Sequence, residues 1–234
     1  MMKKSLKIII LISCGLHIIT GCGNEIYKRY RAAKKLARSN KPEDWEKAIK
    51  EFEDIINIKV DAREYQGLLY RKLAERHMQY EHWNDAVKYL KKALEILPNE
   101  GILHYRLGVC YSQLSRSAQG KKRKEFIKKA EQEYRLALKL NPDLTGPFFG
   151  LGIIYFYVYN DYEKGIEYMR KVLQKDPRNI DAHFALGRFY YEMGELNKSL
   201  EFYKALLGLV PENSKDYEQV KKNIARIYKE MGTP

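Results

Sequence analysis

Cysteine is nearly absent from this chain: three residues in 234, at Cys14, Cys22 and Cys110. So few thiols cannot build a disulfide framework, and none stand at the paired spacing of a thiolate metal site. Catalytic signatures are missing as well. No HExxH helix, CxxC pair, glycine-rich phosphate loop or nucleophile elbow occurs. Five histidines are present; His17 falls in the leading segment, while His77, His104 and His183 stand where the pattern elsewhere places packing rings. Glu131, Glu133 and Glu163 read as solvated acids on helix surfaces. Neither an enzyme, a cofactor nor a metal is expected. Proline is scarce, seven residues in all, yet Pro98, Pro142, Pro177 and Pro211 are spaced 44, 35 and 34 apart. A long apolar run stands near the N-terminus, from Ile8 to Thr20, and is too short for a permanent bilayer-spanning helix of about 20 residues.

That run follows Lys3, Lys4 and Lys7 and ends at Ile19-Thr20-Gly21-Cys22, the plan of a secretory signal. The last four residues resemble a bacterial lipobox, which implies cleavage after residue 21 and lipidation of Cys22. An alternative box at Cys14 would leave too short an apolar core. Removing the three lysines takes the formal charge from +13 to +10. After a tether over 22–25, Lys28, Arg29, Arg31, Lys34, Lys35 and Arg38 form a basic run without an acid. It reads either as a contact for anionic lipid headgroups or as a solvated helix face. Cys110 would then be the one remaining thiol, buried and inert.

From residue 67 onward one pattern recurs. Leu73-Ala74-His77, Leu107-Gly108-Tyr111, Leu151-Gly152-Tyr155 and Leu186-Gly187-Tyr190 each begin a helical period. Each is answered by a second set: Ala86-Leu90-Ala93, Ala130-Tyr134-Ala137, Gly165-Met169-Val172 and Ser199-Tyr203-Leu206. The prolines close each pair. Small residues at Ala74, Gly108, Gly152 and Gly187 let the paired helices approach closely. With a period near 34, these residues resemble the tetratricopeptide repeat family. The implied fold is all-α, a right-handed superhelical solenoid of helix-turn-helix hairpins with a C-terminal capping helix. The expected divisions are a signal over 1–21, the tether, a degenerate hairpin over 26–66, and repeats over 67–100, 101–144, 145–178 and 179–213. A capping helix over 214–234 presents Tyr217, Val220, Ile224, Ile227 and Tyr228 on its apolar face. The 101–144 repeat carries about ten extra residues, whose basic run Lys121, Lys122, Arg123 and Lys124 could grip an acidic partner or extend a helix turn into water, with a solvated loop the favoured reading.

The resemblance implies that first helices line a concave groove. Carried over residue by residue, the groove would be Leu68, Arg71, Glu75 and Met78, then Tyr105, Arg106 and Val109. Phe149, Ile153 and Phe156 follow, then Phe184, Arg188 and Tyr191. Aromatic and arginine side chains of this kind suit an interaction hot spot for an apolar or aromatic segment. Relatives that clamp a terminal carboxylate use lysine and asparagine on this stripe, and Arg71 with Glu75 departs from that. The expected role is a protein-binding scaffold in assembly of a bacterial envelope complex, anchored by its N-terminal lipid with its body outside the cytoplasm; the periplasmic face of the outer membrane is favoured. The alternative reading binds anionic polymer or lipid through the basic face, and a hydrolase is a distant third. Nucleic acid is not an expected partner, and neither the oligomeric state nor the partner's identity is legible.

Overall fold

The computed structural model describes residues 25–55 and 60–232, so the signal segment and Cys22 lie outside the described residues. Every described regular element is a helix. The first unit, up to Asn99, contains α1 over residues 25–36, α2 (Pro42–Ile55), α3 (Val60–Gln79) and α4 (Trp83–Ile96). The second contains α5 (Gly101–Ser117), α6 (Gly120–Leu140), α7 (Thr145–Tyr157), α8 (Tyr162–Lys175), α9 (Ile180–Glu192), α10 (Leu196–Leu207) and α11 (Lys215–Met231). Within the units, α3 pairs with α4, α5 with α6, α7 with α8 and α9 with α10. These are the expected helical hairpins.

Their cores follow the recurring skeleton. Leu73, Ala74, Leu107, Leu151 and Leu186 are at most 2% exposed, and so are Ala86, Leu90, Ala93, Ala130, Ala137, Met169, Val172 and Leu206. Helix approach is controlled by which residue lacks a side chain. A Cβ placed on Gly108 would fall 2.6 Å from the Tyr134 ring, and one on Gly187 would fall 2.9 Å from Tyr203. At the equivalent place in the first unit, Ala74 stands with Leu90, a smaller partner. Size is thus exchanged across each hairpin so that packing density is kept.

The turns inside the hairpins also repeat. Glu81, Asn160 and Gly194 take φ of 59°, 55° and 77°, the left-handed conformation that ends a helix. The following amide reaches back to close the turn, His82 to the His77 carbonyl at 2.9 Å and Glu195 to that of Tyr190 at 2.9 Å. In the 145–178 repeat Asp161 reaches one residue further, to Tyr155 at 3.0 Å, which accommodates an extra turn residue.

Two sequence expectations are corrected here. The run at Lys121, Lys122, Arg123 and Lys124 is not a loop: it forms the first turn of α6, because the extra residues lengthen α5 and α6 to 17 and 21 residues and leave only Ala118 and Gln119 between them. All four basic side chains are exposed. Acids in the first turn would suit a helix N-terminus better, and the chain supplies none there. Glu131 and Glu133 are not ordinary solvated acids either. Glu133 meets His104 Nδ1 at 2.7 Å, and Glu131 accepts from the Tyr155 hydroxyl at 3.0 Å, the Tyr159 hydroxyl at 2.7 Å and Arg135 Nε at 3.0 Å. Burial alone would raise the Glu131 carboxyl, but the bonds from Tyr159, Arg135 and Tyr155 outweigh it and hold the group below the usual carboxylate range. This network ties α6 to α7. Cys110 is buried, and burial pushes its thiol up to about 12, consistent with an unreactive sulfur.

Candidate functional site

The second unit contains a cleft of about 830 Å3 built from four helices. Helix α7 contributes Phe149, Ile153 and Tyr157; α9 contributes Asp181, Phe184, Ala185, Arg188, Phe189, Tyr191 and Glu192. Tyr203 of α10 lies at the floor, and α11 supplies Asp216, Gln219, Asn223 and Arg226. Hydrophobic periodicity explains why these side chains meet. Leu151 and Tyr155 of α7, like Leu186 and Tyr190 of α9, are consumed by packing inside each hairpin, which leaves Phe149, Ile153, Phe184 and Arg188 on the adjoining face.

Of the candidate groove residues on α7 and α9, five line the cleft: Phe149, Ile153, Phe184, Arg188 and Tyr191. Phe156 does not. It is 2% exposed and stacks on Phe189 with ring centroids 3.7 Å apart and an interplanar angle of 6°. On α8, a Cβ on Gly165 would fall 2.8 Å from the Phe156 Cβ and 3.1 Å from its amide nitrogen. Gly165 therefore lets the α7 backbone at Phe156 lie close against α8. Tyr157, one residue later, takes the place at the cleft.

The rim is polar and largely satisfied. Arg188 Nε donates to Glu192 Oε1 at 2.8 Å, and the Tyr157 hydroxyl donates to the same oxygen at 3.1 Å. The Arg188 guanidinium also lies over the Tyr157 ring, 5.3 Å from its centroid. Its bond to Glu192 raises the Arg188 pKa, while burial pushes the Tyr157 hydroxyl up to about 12. On the other side Arg226 lies 4.8 Å over the Tyr191 ring, and the Tyr191 hydroxyl donates to Glu230. The cleft can hold an apolar or aromatic side chain between charged edges. It contains no assembled nucleophile, base and orienter.

A smaller cleft of about 340 Å3 shares Phe149 and Asp181 with the first and is lined by Ile102, Tyr105, Leu144 and Pro147, among others. Tyr105 is therefore placed beside an opening; Arg106 and Val109 are half-buried on α5 and line neither cleft. In the first unit the other candidates lie on α3. Leu68 is 36% exposed, Met78 is half-buried, and Arg71 Nε approaches Glu75 Oε1 at 3.6 Å.

The basic run of α1 divides. Arg29 is bound to Glu51 at 2.9 Å and Asp54 at 2.5 Å, and Lys34 lies over the Tyr65 ring at 4.7 Å, so both hold the first unit together. Lys28, Arg31, Lys35 and Arg38 remain exposed, spaced by three, four and three along one side of the helix and the turn that follows it.

The sequence reading missed the wall supplied by α11. Asp216, Gln219, Asn223 and Arg226 follow helical spacing, but four polar residues on a terminal helix are indistinguishable from a solvated face. Their neighbours Val220 and Ile227 are buried, joining Leu206 and Val210 in one apolar cluster. That cluster fixes α11, and with it the polar wall.

Paired helical hairpins, small residues at the crossing points and a cleft between successive first helices define an all-α helical-repeat protein. Residues 159–231 match the family model of the tetratricopeptide repeat. Among curated proteins, a TPR repeat-containing protein of Borreliella burgdorferi is 22% identical over 86% of this chain and 89% of its own length. BBSome complex member BBS4 of Bos taurus is 33% identical over 61% of this chain but only 24% of its own, and the anaphase-promoting complex subunit CDC16 of Saccharomyces cerevisiae is 29% identical over 61% and 16%. The chain thus spans under a quarter of the latter two. Among solved structures, a thermophilic TPR protein of Thermus thermophilus aligns with a TM-score of 0.58 at 17% identity over 86% of this chain and 99% of that one. The pilF structure from Pseudomonas aeruginosa aligns at 0.59 and 21% identity over 72% and 70%. Residues 159–231 are thus similar to the tetratricopeptide repeat, and the all-helical fold resembles the solenoid structures of such proteins.

Proposed function

We propose that this chain is a lipid-anchored scaffold of a bacterial envelope that holds an apolar or aromatic segment of a partner protein in the cleft of α7, α9 and α11. The observation that carries this reading is the placement of Phe149, Ile153 and Phe184, half-buried with one side packed on the core, along one cleft whose rim holds the Arg188–Glu192 pair. Desolvated rings inside a polar rim concentrate binding energy. Two relatives are, by their names, members of multiprotein complexes, and no relative named above is an enzyme by its name. A photo-crosslinking residue at position 149 or 184 is expected to capture one protein partner from solubilised membranes. Changing both Phe149 and Phe184 to alanine is expected to weaken that complex by at least about tenfold, the scale of a lost hot-spot residue. An unchanged complex would remove the cleft from the mechanism.

Anchoring rests on the Gly21-Cys22 sequence and the brief tether before α1. Acyl chains contribute about 0.8 kcal/mol per buried methylene, so several chains hold a protein at a membrane almost irreversibly. Cys22→Ser is expected to release the protein from the membrane fraction or to leave its precursor uncut; normal processing with unchanged attachment would end this part of the reading. A second, electrostatic contact is favoured by the stripe of Lys28, Arg31, Lys35 and Arg38, each worth about 1 kcal/mol beside an anionic leaflet. Salt separates the two contacts, because exposed charges are screened while buried rings lose little.

A further inference from the structure

We propose that His77, His82 and Asp85 form a binding site for a late first-row divalent transition metal such as Zn2+, at the turn between α3 and α4. Their donor atoms all lie within 4.8 Å of one another, and His77 Nδ1 stands 4.0 Å from Asp85 Oδ2. Two imidazoles and one carboxylate match the donor set that such ions favour, whereas hard cations take oxygen.

The stronger argument comes from comparing hairpins within the molecule. In three of them this corner holds a tyrosine with a lysine over its ring: Lys129 lies 5.7 Å from the Tyr111 centroid, Lys164 5.0 Å from Tyr155, and Lys198 5.5 Å from Tyr190. Each lysine immediately precedes the small residue of the second helix, at Ala130, Gly165 or Ser199. The same two places in the α3–α4 hairpin hold His77 and Asp85, the latter just before Ala86. Ring and cation have both been exchanged, one for a nitrogen ligand and the other for an oxygen ligand. Packing alone demands neither exchange, since tyrosine and lysine serve the other three hairpins.

The third donor comes from the turn. Glu81, at φ 59°, reverses the chain so that His82, the next residue, comes round to the His77 ring with centroids 5.9 Å apart. His77 itself is braced by stacking on Tyr89 at 5.2 Å and 15°, as Tyr190 is braced by Phe202 at 5.6 Å and 14°. One ligand is therefore held in place while the other two, His82 and Asp85, are exposed and able to rotate. Ligands around tetrahedral zinc stand about 3.3–3.6 Å apart, so binding would draw the exposed His82 and Asp85 donors in toward His77. Solvent would complete the coordination.

The test uses full-length protein purified without a histidine tag, stripped with chelator and titrated calorimetrically with ZnCl2. One equivalent is expected to bind, with no comparable binding of MgCl2. His82→Ala, at an exposed position, is expected to weaken zinc binding at least tenfold while leaving the circular dichroism spectrum unchanged. Asp85→Lys, which restores the residue of the other hairpins, is expected to do the same. Absence of stoichiometric zinc binding by the parent, or undiminished binding by both variants, would overturn the proposal.

Discussion

Truncating Phe156 to alanine is expected to destabilise the second unit by about 3–5 kcal/mol, the usual cost of removing a fully buried phenylalanine. The ring does more than fill volume. It stacks on Phe189 of α9, meets Tyr162 of α8 at 4.8 Å and Tyr157 edge-on at 5.0 Å, and so joins three helices at one point. Little can collapse into the hole, because the closest approach of α8 is already set by the Gly165 backbone. Stability in a repeat array is local, so unfolding need not be two-state. The decisive measurement is hydrogen exchange resolved along the chain: protection should fall in α7, α8 and α9 before α5 and α6. Phe149→Ala supplies the contrast, since Phe149 is half-buried beside the cleft and its loss should affect partner capture far more than protection. If Phe156→Ala costs under about 1 kcal/mol, the placement of this ring in the core is mistaken.

Phe156 also shows where sequence reasoning reached its limit. The hairpins were legible because leucine, small residue and proline recur together at fixed offsets, and each has one packing reason to be there. Direction around a helix is less well determined. Residues 149, 153, 156 and 157 all lie within about a quarter turn of one another, so spacing alone cannot say whether Phe156 or Tyr157 faces the cleft. The stack on Phe189, which belongs to another helix, accompanies the inward turn of Phe156. Residues whose partners are distant were legible in type but not in role: Glu131 is an acid on a helix until the Tyr155 and Tyr159 hydroxyls reach it. The α11 wall was hidden because a polar stripe bordering a cleft has the same composition as one bordering water. The His77, His82 and Asp85 corner was hidden for a different reason. Its donors belong to two helices and a turn, and only when the four hairpins are superposed by position does the exchange of Tyr–Lys for His–Asp become visible.

The same exchange of size across a hairpin yields a prediction in which the sign, and not only the magnitude, is at stake. Gly108→Ala should destabilise the second unit by about 1–3 kcal/mol, the cost of overpacking a tight core. In an exposed helix the same change would stabilise by about 1 kcal/mol, because glycine is the poorer helix former. Overpacking wins because the Tyr134 ring cannot retreat. A Cβ on Gly108 would lie 2.6 Å from one edge of it and a Cβ on Gly150 2.5 Å from the other, so the ring is clasped between α5 and α7. Its hydroxyl is also within 3.1 Å of Ser112 Oγ. Tyr134→Leu removes the obstacle and reproduces the pairing of Ala74 with Leu90 in the first unit. In that background Gly108→Ala should become neutral or stabilising by up to about 1 kcal/mol, even though Tyr134→Leu itself costs stability. A double-mutant cycle on urea unfolding measures the coupling, which should exceed about 1 kcal/mol because the two residues touch. If Gly108→Ala has the same effect with tyrosine or leucine at position 134, the glycine is not there to admit the ring, and the account of how these helices set their distance fails.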